Sequence, residues 1–434
     1  MAFLQSFNLP AAILCFVAII FWAFALLPEY LTALIFLLGV ICFGVASPEI
    51  ALSGFYSPAL WLVFSGLVLG RAIHVTGLGD RISKTFIAWA PRSQSGNILA
   101  IAFAGFVLSF FMPSSMGRVA MIVPITILIA AQLKVPPHSQ SRDILITVAA
   151  LGAYLPSAAI LPANIPNLIL ASGAASLYGI SFSYMDYLVA TFPTIGIGKF
   201  MIIVAAGLLL SSSSAKRGQE PSPSVAINAQ ERRLIVILGI AVGLWITDDI
   251  HGINPAWVGL GAAIFCLLPR IGALNEQDFN HKLSWSAFIH AAGIIGLGAV
   301  VASSGIGDSV GRVLSEFAPF SSGNSFWNFM ILTVLMTLIC VITTTPGLPA
   351  VATPLAASLA DASGLPLRAV LLIQVLAFST IVLPFQGAPL VFAFHTAGVS
   401  LRTAMKVLGL VTLGSIVIIA PLTYLWWRAL GEIP

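Results

Sequence analysis

Apolar stretches long enough to cross a bilayer recur along the whole chain, separated by short polar segments. A membrane-spanning helix needs about 20 mainly apolar residues. Stretches that meet or approach this length are 9–28, 30–47, 58–75, 143–178, 184–210, 233–250, 255–269, 285–304, 366–397 and 401–428. The pattern therefore predicts an all-α polytopic membrane protein.

Two of these stretches, 143–178 and 366–397, are interrupted in the middle by proline and polar residues. The interrupting residues include Asn164, Pro166 and Asn167 in the first stretch and Gln386 and Gly387 in the second. Proline removes a helical hydrogen bond, and backbone that leaves the helix at this depth must be buried in protein or line a cavity. Both stretches are predicted to be helices broken at mid-membrane.

Two further apolar segments, 96–132 and 324–360, each carry a small polar cluster near the middle. The clusters contain Ser114 and Ser115 in the first segment and Thr343, Thr344 and Thr345 in the second. Each segment is predicted to be a re-entrant hairpin whose tip stops part-way across the membrane.

The two halves of the chain carry the same landmarks in the same order. TGLGD at 76–80 is answered by SGIGD at 304–308, and a hairpin and a broken helix follow each of them. The halves are 1–210 (scaffold 8–75, hairpin and broken helix 96–210) and 234–434 (scaffold 234–304, hairpin and broken helix 324–430), joined by a polar cytoplasmic linker at 211–233. Five spans plus one hairpin in each half predict two inverted repeats, which is the organisation of secondary transporters.

Charge is scarce and unevenly placed. Only 8% of the residues are charged and 59% are hydrophobic, and the net charge of +4 is too small for a nucleic-acid-binding surface. With the amino terminus outside, most of the 19 basic residues fall on the cytoplasmic side, as the positive-inside rule requires. The exceptions are Arg312, Arg368 and Arg428 outside, and Arg118 and Lys199 within the membrane. This predicts a multi-pass protein of the plasma (inner) membrane with both termini outside.

The polar residues at the four interruptions are the candidate substrate site. They are Ser114, Ser115, Arg118, Asn164, Pro166, Asn167, Thr343, Thr344, Thr345, Gln386 and Gly387. Free N–H groups at helix starts favour an anion, and an arginine within the membrane is a functional candidate by default. The alternative for Arg118 is a structural tie to carbonyl groups or to a carboxylate. Because no Asp or Glu lies at the interruptions, the site is expected to bind a small anion.

Three smaller expectations concern residues outside this set. Lys199 is expected to extend towards the inner face, and Asp248 to be solvated at an outer helix end. The glycines of the 285–304 stretch, Gly293, Gly296 and Gly298, indicate close helix packing.

The leading interpretation is a secondary transporter of a dicarboxylate or an inorganic oxyanion such as sulfate. An arsenite or sodium/proton antiporter is the alternative of the same kind, although it would need a membrane carboxylate. An anion channel is the alternative of another class. The sequence contains no HExxH motif, paired carboxylates or nucleophile–base set on plausible faces, so neither an enzyme nor a cofactor is expected.

At the interruptions the chain resembles the divalent anion:sodium symporter family of the ion transporter superfamily, over nearly its whole length. That family carries Ser-Asn-Thr at each hairpin tip and a Thr-Pro-Pro-Asn-like sequence in each following broken helix. Here 114–116 (SSM) and 344–346 (TTP) stand at the tips. The breaks read NIPN at 164–167, a match, and GAPL at 387–390, a poor one.

The resemblance implies a homodimer in which the hairpins and broken helices move as an elevator against a scaffold made from the first three spans of each half. It also implies sodium sites beside the tips, near Ser114 and Ser115 and near Thr344 and Thr345. Because Ser115 and Thr345 replace the tip asparagines and Arg118 adds a fixed charge, these sodium sites are expected to be weak. Arg118 is hypothesised to do part of the work that sodium does in relatives. The expected partners are a small anionic substrate, the lipid bilayer and a second copy of the chain, with Na⁺ only as a candidate coupling ion.

Overall fold

The computed structural model describes residues 9–23, 26–88, 93–133, 135–211, 227–306, 319–321 and 323–434, which are helical and contain no strand. The helices of the first half are α1 (Leu9–Ala23), α2 (Glu29–Cys42), α3 (Pro58–Thr76), α4 (Leu78–Ala88), α5 (Gln94–Phe111), α6 (Ser115–Gln132), α7 (Gln140–Tyr154), α8 (Ile165–Tyr178) and α9 (Tyr184–Leu210). Those of the second half are α10 (Ala229–Ile246), α11 (Pro255–Leu267), α12 (Trp285–Ser303), α13 (Ser325–Ala352), α14 (Ala356–Ser363), α15 (Leu367–Phe378), α16 (Ala388–Ala397) and α17 (Leu401–Ala429).

Several of the helices have the length and apolar character of membrane spans. Among the described residues, α3, α9, α12, α13 and α17 qualify by themselves, and α14 with α15 forms a pair bent by 109° that qualifies together. Shorter apolar helices make up much of the remainder. The prediction of an all-α polytopic membrane protein is confirmed.

The helices are interrupted at the predicted places. Two 3₁₀ turns separate α7 from α8, and a 3₁₀ turn at Pro384–Gln386 precedes α16. In the hairpin segments, residues 112–114 separate α5 from α6, while Thr344 interrupts α13 with φ 67° and ψ 171°. Local sequence explains these breaks, because proline follows or precedes each of them and cannot continue the helical hydrogen bonds.

Two helix pairs join the halves of the chain in corresponding ways. α3 packs against α11, and α2 packs against α12. Both crossings depend on glycine: a Cβ at Gly259 would lie 2.8 Å from Leu62 Cδ1, and one at Gly293 would lie 2.4 Å from Ala33 Cβ. An inverted repeat would relate these two pairs to each other, and the repeat itself stays a prediction. The expectation of close packing is confirmed at Gly293 and at Gly296, where a Cβ would lie 2.4 Å from the Ala51 carbonyl oxygen.

The substitution Gly293→Ala is expected to lower the thermal stability of the protein in detergent. The new methyl group would overlap Ala33 and force α2 and α12 apart, and overpacking of this kind costs about 1–3 kcal/mol. Gly239→Ala in α10 is the matched control, since a Cβ there meets nothing within 4 Å. Equal melting temperatures for the two variants would contradict the packing argument.

Ion pairs also tie the two halves together at their polar segments. Arg71 lies 2.8 Å from Asp278, and Arg81 lies 2.9 Å from Glu231. A further arginine, Arg368 of α15, contacts two carboxylates: Asp186 of α9 at 3.5 Å and Glu432, which follows α17, at 3.0 Å.

One expectation is wrong here. Asp248 is buried, and its carboxylate accepts a hydrogen bond from the Tyr184 backbone N–H at 2.6 Å. It caps the start of α9, because the first N–H groups of a helix lack internal partners.

Candidate functional site

The first hairpin tip forms where α5 ends and α6 begins. The Ser114 side chain caps α6 by accepting from the Gly117 N–H at 3.1 Å, while Ser115 is half-buried. The tip lies against α3 at two glycines one helical turn apart. A Cβ at Gly66 would lie 3.1 Å from Pro113 Cβ, and one at Gly70 would lie 3.2 Å from Ser114 Cβ. Only small residues on α3 allow the tip to approach so closely.

Arg118, one turn into α6, is fully buried and tied to three backbone carbonyls. Its Nε donates to Ala153 at 2.8 Å, and its Nη1 donates to Met112 and, at 3.1 Å, to Ala163. The guanidinium therefore joins the hairpin tip to both sides of the first break. Nη2 is buried and has no partner within the described residues, so donor capacity remains at this point.

The first break is held by its own side chains. Asn167 Nδ2 donates to the Ile160 carbonyl at 2.8 Å and to the Ser157 carbonyl at 3.3 Å. Its Oδ1 is buried without a partner in the part of the chain that the structure describes. Asn164, in extended conformation, precedes the first turn of α8, and Pro166 lies in that turn. The Asn164 side chain makes no capping bond, so N–H groups at the start of α8 are left for another acceptor.

The second break and the second hairpin form a similar arrangement. Gly387 precedes α16 in extended conformation, again without a side-chain cap. Gln386 is fully buried. Its Oε1 accepts from the N–H groups of Val382 (2.8 Å) and Leu383 (2.7 Å), and its Nε2 contacts Cys340 Sγ at 3.6 Å. In this conformation Gln386 shapes the break and is not exposed to a substrate.

Tyr154, the last residue of α7, lies between the interruptions of both halves. Its hydroxyl is 2.7 Å from Thr345 Oγ1, and a Cβ at Gly387 would lie 2.5 Å from its ring. The preceding residue, Ala153, accepts from Arg118. The phenol of Tyr154, at the start of the first break, thus contacts the second tip and the second break, while Arg118 ties the first tip to the neighbouring Ala153. Thr343 is less central, because its hydroxyl donates to the Ile339 carbonyl of its own helix at 2.8 Å.

Tyr154→Phe is expected to lower the apparent affinity for a candidate anion about fivefold, beside a loss of folding stability of about 1 kcal/mol that a tyrosine bonded in the same way elsewhere would share. The substitution removes a single hydrogen bond, worth about 1 kcal/mol, from Thr345 at the centre of the site. The measurement is the concentration dependence of uptake into proteoliposomes. Tyr424→Phe is the matched control, because the Tyr424 hydroxyl makes an equivalent 2.7 Å bond to Ser325 away from the interruptions. If both variants behave alike, Tyr154 has no special place in the site.

Lys199 does not extend to the inner face, so that expectation is wrong. The side chain is fully buried, and its Nζ donates to the Ser379 carbonyl (3.0 Å), Thr380 Oγ1 (2.7 Å) and Ser415 Oγ (2.8 Å). These oxygens lie at the end of α15 and in a π-helical turn of α17. Because three acceptors within the protein satisfy Lys199 Nζ, the side chain does not extend to water.

The electrostatics of the interruptions are positive. Helix starts carry partial positive charge, and α6, α8, α16 and the second part of α13 all begin there. Arg118 adds a full charge. Within the described residues no cluster of three His, Cys, Asp or Glu side chains could hold a metal ion. This arrangement can bind an anion through N–H, hydroxyl and guanidinium donors.

Carbonyl oxygens beside the first tip are engaged by Arg118. A hard cation needs several oxygen ligands, and the carbonyls of Met112, Ala153 and Ala163 already accept hydrogen bonds from Arg118.

Sequence reasoning missed Tyr154 and misjudged Lys199. Tyr154 stands in an apolar run two residues before Pro156, so its position just ahead of a predicted break was the available signal. Lys199 lies six residues after Pro193, within the apolar stretch 184–210 and far from its ends. A basic residue in that position could have indicated a buried side chain with partners inside the protein.

A bundle of apolar helices interrupted at four polar turns has the architecture of secondary transporters. The chain belongs to the family described as the sodium:sulfate symporter transmembrane region, whose family model matches residues 5–433.

Curated relatives are transporters or membrane proteins. An uncharacterized transporter of Haemophilus influenzae is 23% identical over 440 residues, covering 97% of this chain and 92% of that protein. A membrane protein of Cupriavidus necator is 26% identical over 299 residues, covering 67% of this chain and 58% of that protein. The L-tartrate/succinate antiporter of Escherichia coli is 25% identical over 291 residues, covering 63% and 58%. The chain therefore aligns with little more than half the length of the last two relatives.

Solved transporter structures share the fold. The YdaH transporter of Alcanivorax borkumensis superposes with a TM-score of 0.60 at 13% identity, covering 89% of each chain. MtrF of Neisseria gonorrhoeae, from a class of antimetabolite efflux pumps, gives a TM-score of 0.53 at 12% identity, covering 85% of this chain and 80% of that one. At these identities the likeness concerns the fold alone.

Proposed function

We propose that this protein is a secondary active transporter of a small anion, a dicarboxylate or an inorganic oxyanion such as sulfate. The observation that carries the proposal is that Tyr154 and Arg118 together connect both hairpin tips and both breaks: Tyr154 contacts Thr345 and Gly387, and Arg118 ties the first tip to the end of α7. The charged side chain found there among the described residues, Arg118, is positive, and the helix starts add donors for an anion. The family description and the name of the tartrate/succinate relative agree with this substrate class.

Elevator-type alternating access is the mechanism we propose. α2, α3, α11 and α12 pack on one another as a candidate scaffold. The hairpins and broken helices pack across the two halves, with α6 against α16 and α8 against α13. The smooth face that Gly66 and Gly70 give to α3 would let the first tip slide along it. We further propose a homodimer in the inner membrane with both termini outside.

The role of Na⁺ is part of the proposal. Arg118 already supplies a positive charge to the carbonyl oxygens of the first tip, so a sodium ion is not required there. We therefore expect transport that does not depend on sodium at this site.

The proposal is tested with radiolabelled anions in proteoliposomes. Succinate, tartrate, sulfate, citrate and arsenite are offered while sodium, proton and counter-substrate gradients are imposed one at a time. Saturable uptake of a dicarboxylate or of sulfate would support it. Uptake confined to arsenite would contradict the proposal and favour the arsenite antiporter. Flux that does not saturate and is carried as an open-pore current would favour the anion channel.

A further inference from the structure

Helix α8 lies at the boundary between the candidate scaffold and the part of the protein that we propose to move. It follows the first break, and it packs against α3 and α12 of the scaffold as well as against α13 of the second hairpin. Movement of the hairpins and broken helices therefore requires α8 to slide past α3 and α12. The contacts of α8 with these two helices decide how firmly the moving part is held in the observed position.

A hydrogen bond between two serines joins α8 to the start of α3. Ser57 Oγ lies 2.5 Å from Ser172 Oγ, and each residue is only 8% exposed. Ser57 is the N-cap of α3, and its Oγ also accepts from the Ala59 N–H at 3.2 Å. Ser172 Oγ makes no other hydrogen bond within the described residues. Separation of α8 from α3 would therefore leave a buried hydroxyl without a partner, which is costly.

Elsewhere along this boundary the structure shows contacts between small and apolar groups. Gly66 and Gly70 of α3 lie against the first tip. On the other side of α8, a small cavity lies between α8, α12 and the end of α13. A Cβ at Gly298 of α12 would still lie 3.8 Å from the Ala350 carbonyl oxygen, which is an ordinary van der Waals distance. Apolar contacts have no preferred direction, so they oppose sliding less than the serine pair does.

We infer that Ser57 and Ser172 are positioning residues that hold the moving part of the transporter in the observed position, and that their hydrogen bond breaks in every transport cycle. This inference rests on the proposed function, because it requires α8 to move relative to α3. The bond adds to the barrier for leaving the observed position. Neither serine lies at a hairpin tip or at a break. Loss of the bond should therefore change the maximum rate of transport and leave the half-saturating anion concentration nearly unchanged.

A disulfide in place of the hydrogen bond tests whether the two residues separate. Ser57→Cys and Ser172→Cys are combined, and the double variant is oxidised in proteoliposomes with copper phenanthroline. Mass spectrometry of the linked peptides detects the cross-link. We expect oxidation to link the two positions and to lower the uptake of labelled succinate or sulfate at least tenfold, and dithiothreitol to restore the uptake. The two single-cysteine variants are the controls and should keep their uptake after the same treatment.

Removal of the bond without a cross-link tests its contribution to the rate. Ser172→Ala is expected to raise the maximum rate of uptake about fivefold, which is the effect of losing one net hydrogen bond, while the half-saturating concentration stays within about twofold. Ser57→Ala should have the same effect, and the double alanine variant should be no faster than either single variant, because all three lack the same bond. Such non-additivity is not expected if the serines only stabilise the fold.

Ser325→Ala is the matched control for the alanine variants. It removes a 2.7 Å bond between two hydroxyls, those of Ser325 and Tyr424, which involves neither α3 nor α12. Its maximum rate should equal that of the wild-type protein. If Ser172→Ala does not fold, the cross-linking experiment still decides the question.

The outcomes separate this inference from the proposed function. A complete cross-link with undiminished uptake would overturn the inference and leave the transporter proposal standing. Oxidation that fails to link the two positions would do the same, because the residues would then not be in contact. So would a maximum rate that does not rise in folded Ser172→Ala. Absence of saturable transport by the wild-type protein, for every anion tested, would overturn both.

Discussion

Arg118→Gln is expected to reduce anion uptake into proteoliposomes at least tenfold and to lower the melting temperature of the detergent-solubilised protein. The Arg118 side chain donates hydrogen bonds to three carbonyl oxygens, those of Met112, Ala153 and Ala163. A shorter neutral amide cannot reach all three, and each buried group left unpaired costs about 1–3 kcal/mol. The first tip would then lose its tie to the first break.

The ion dependence of this variant is the more informative result. The freed carbonyl oxygens are ligands for a hard cation, so residual uptake by Arg118→Gln is expected to rise with sodium chloride but not with choline chloride. Arg402→Gln, at an exposed position of α17, is the control for loss of an arginine charge. Wild-type uptake and unchanged ion dependence in Arg118→Gln would refute the idea that this residue does part of the work of sodium.

Gly387→Ala is expected to lower uptake at least tenfold with the protein still folded. The backbone of Gly387 is extended (φ −128°, ψ 113°) and would accept any residue, so the effect comes from space alone. A Cβ would lie 2.5 Å from the Tyr154 ring, and that ring is held by the hydrogen bond to Thr345. The tyrosine would have to give up this bond or push α16 away.

The control for this prediction is Gly409→Ala in α17, where a Cβ meets nothing within 4 Å. Combining Gly387→Ala with Tyr154→Phe should recover little activity, because the clash involves the ring and not only the hydroxyl. Wild-type uptake by Gly387→Ala would show that the contact with Tyr154 plays no part in transport.

The interruptions of the helices were predictable because their causes are local. Proline near Asn164, Thr344 and Gly387 breaks helical hydrogen bonding whatever the surroundings. The close packing at Gly293 was predictable for a similar reason, since a glycine in an apolar helix marks a place where another backbone can approach.

The partners of polar side chains were not predictable in the same way. Lys199 contacts residues 180 and 216 positions away in sequence, and Tyr154 contacts Thr345 at a separation of 191. No periodicity encodes such contacts. The sequence likewise left open whether Arg118 binds substrate or ties backbone carbonyls. The structure shows the carbonyl ties, and Nη2 has no partner among the described residues.

By itself the sequence determined that the chain is a helical membrane protein, where its helices break and that the breaks lack acidic residues, because hydrophobic length, proline and charge act over short stretches. Only the tertiary structure decided that Tyr154 contacts the second tip and the second break and that the Lys199 side chain is buried against the end of α15. A buried charge is tolerated only where its hydrogen-bond partners converge, and that convergence depends on how distant helices pack.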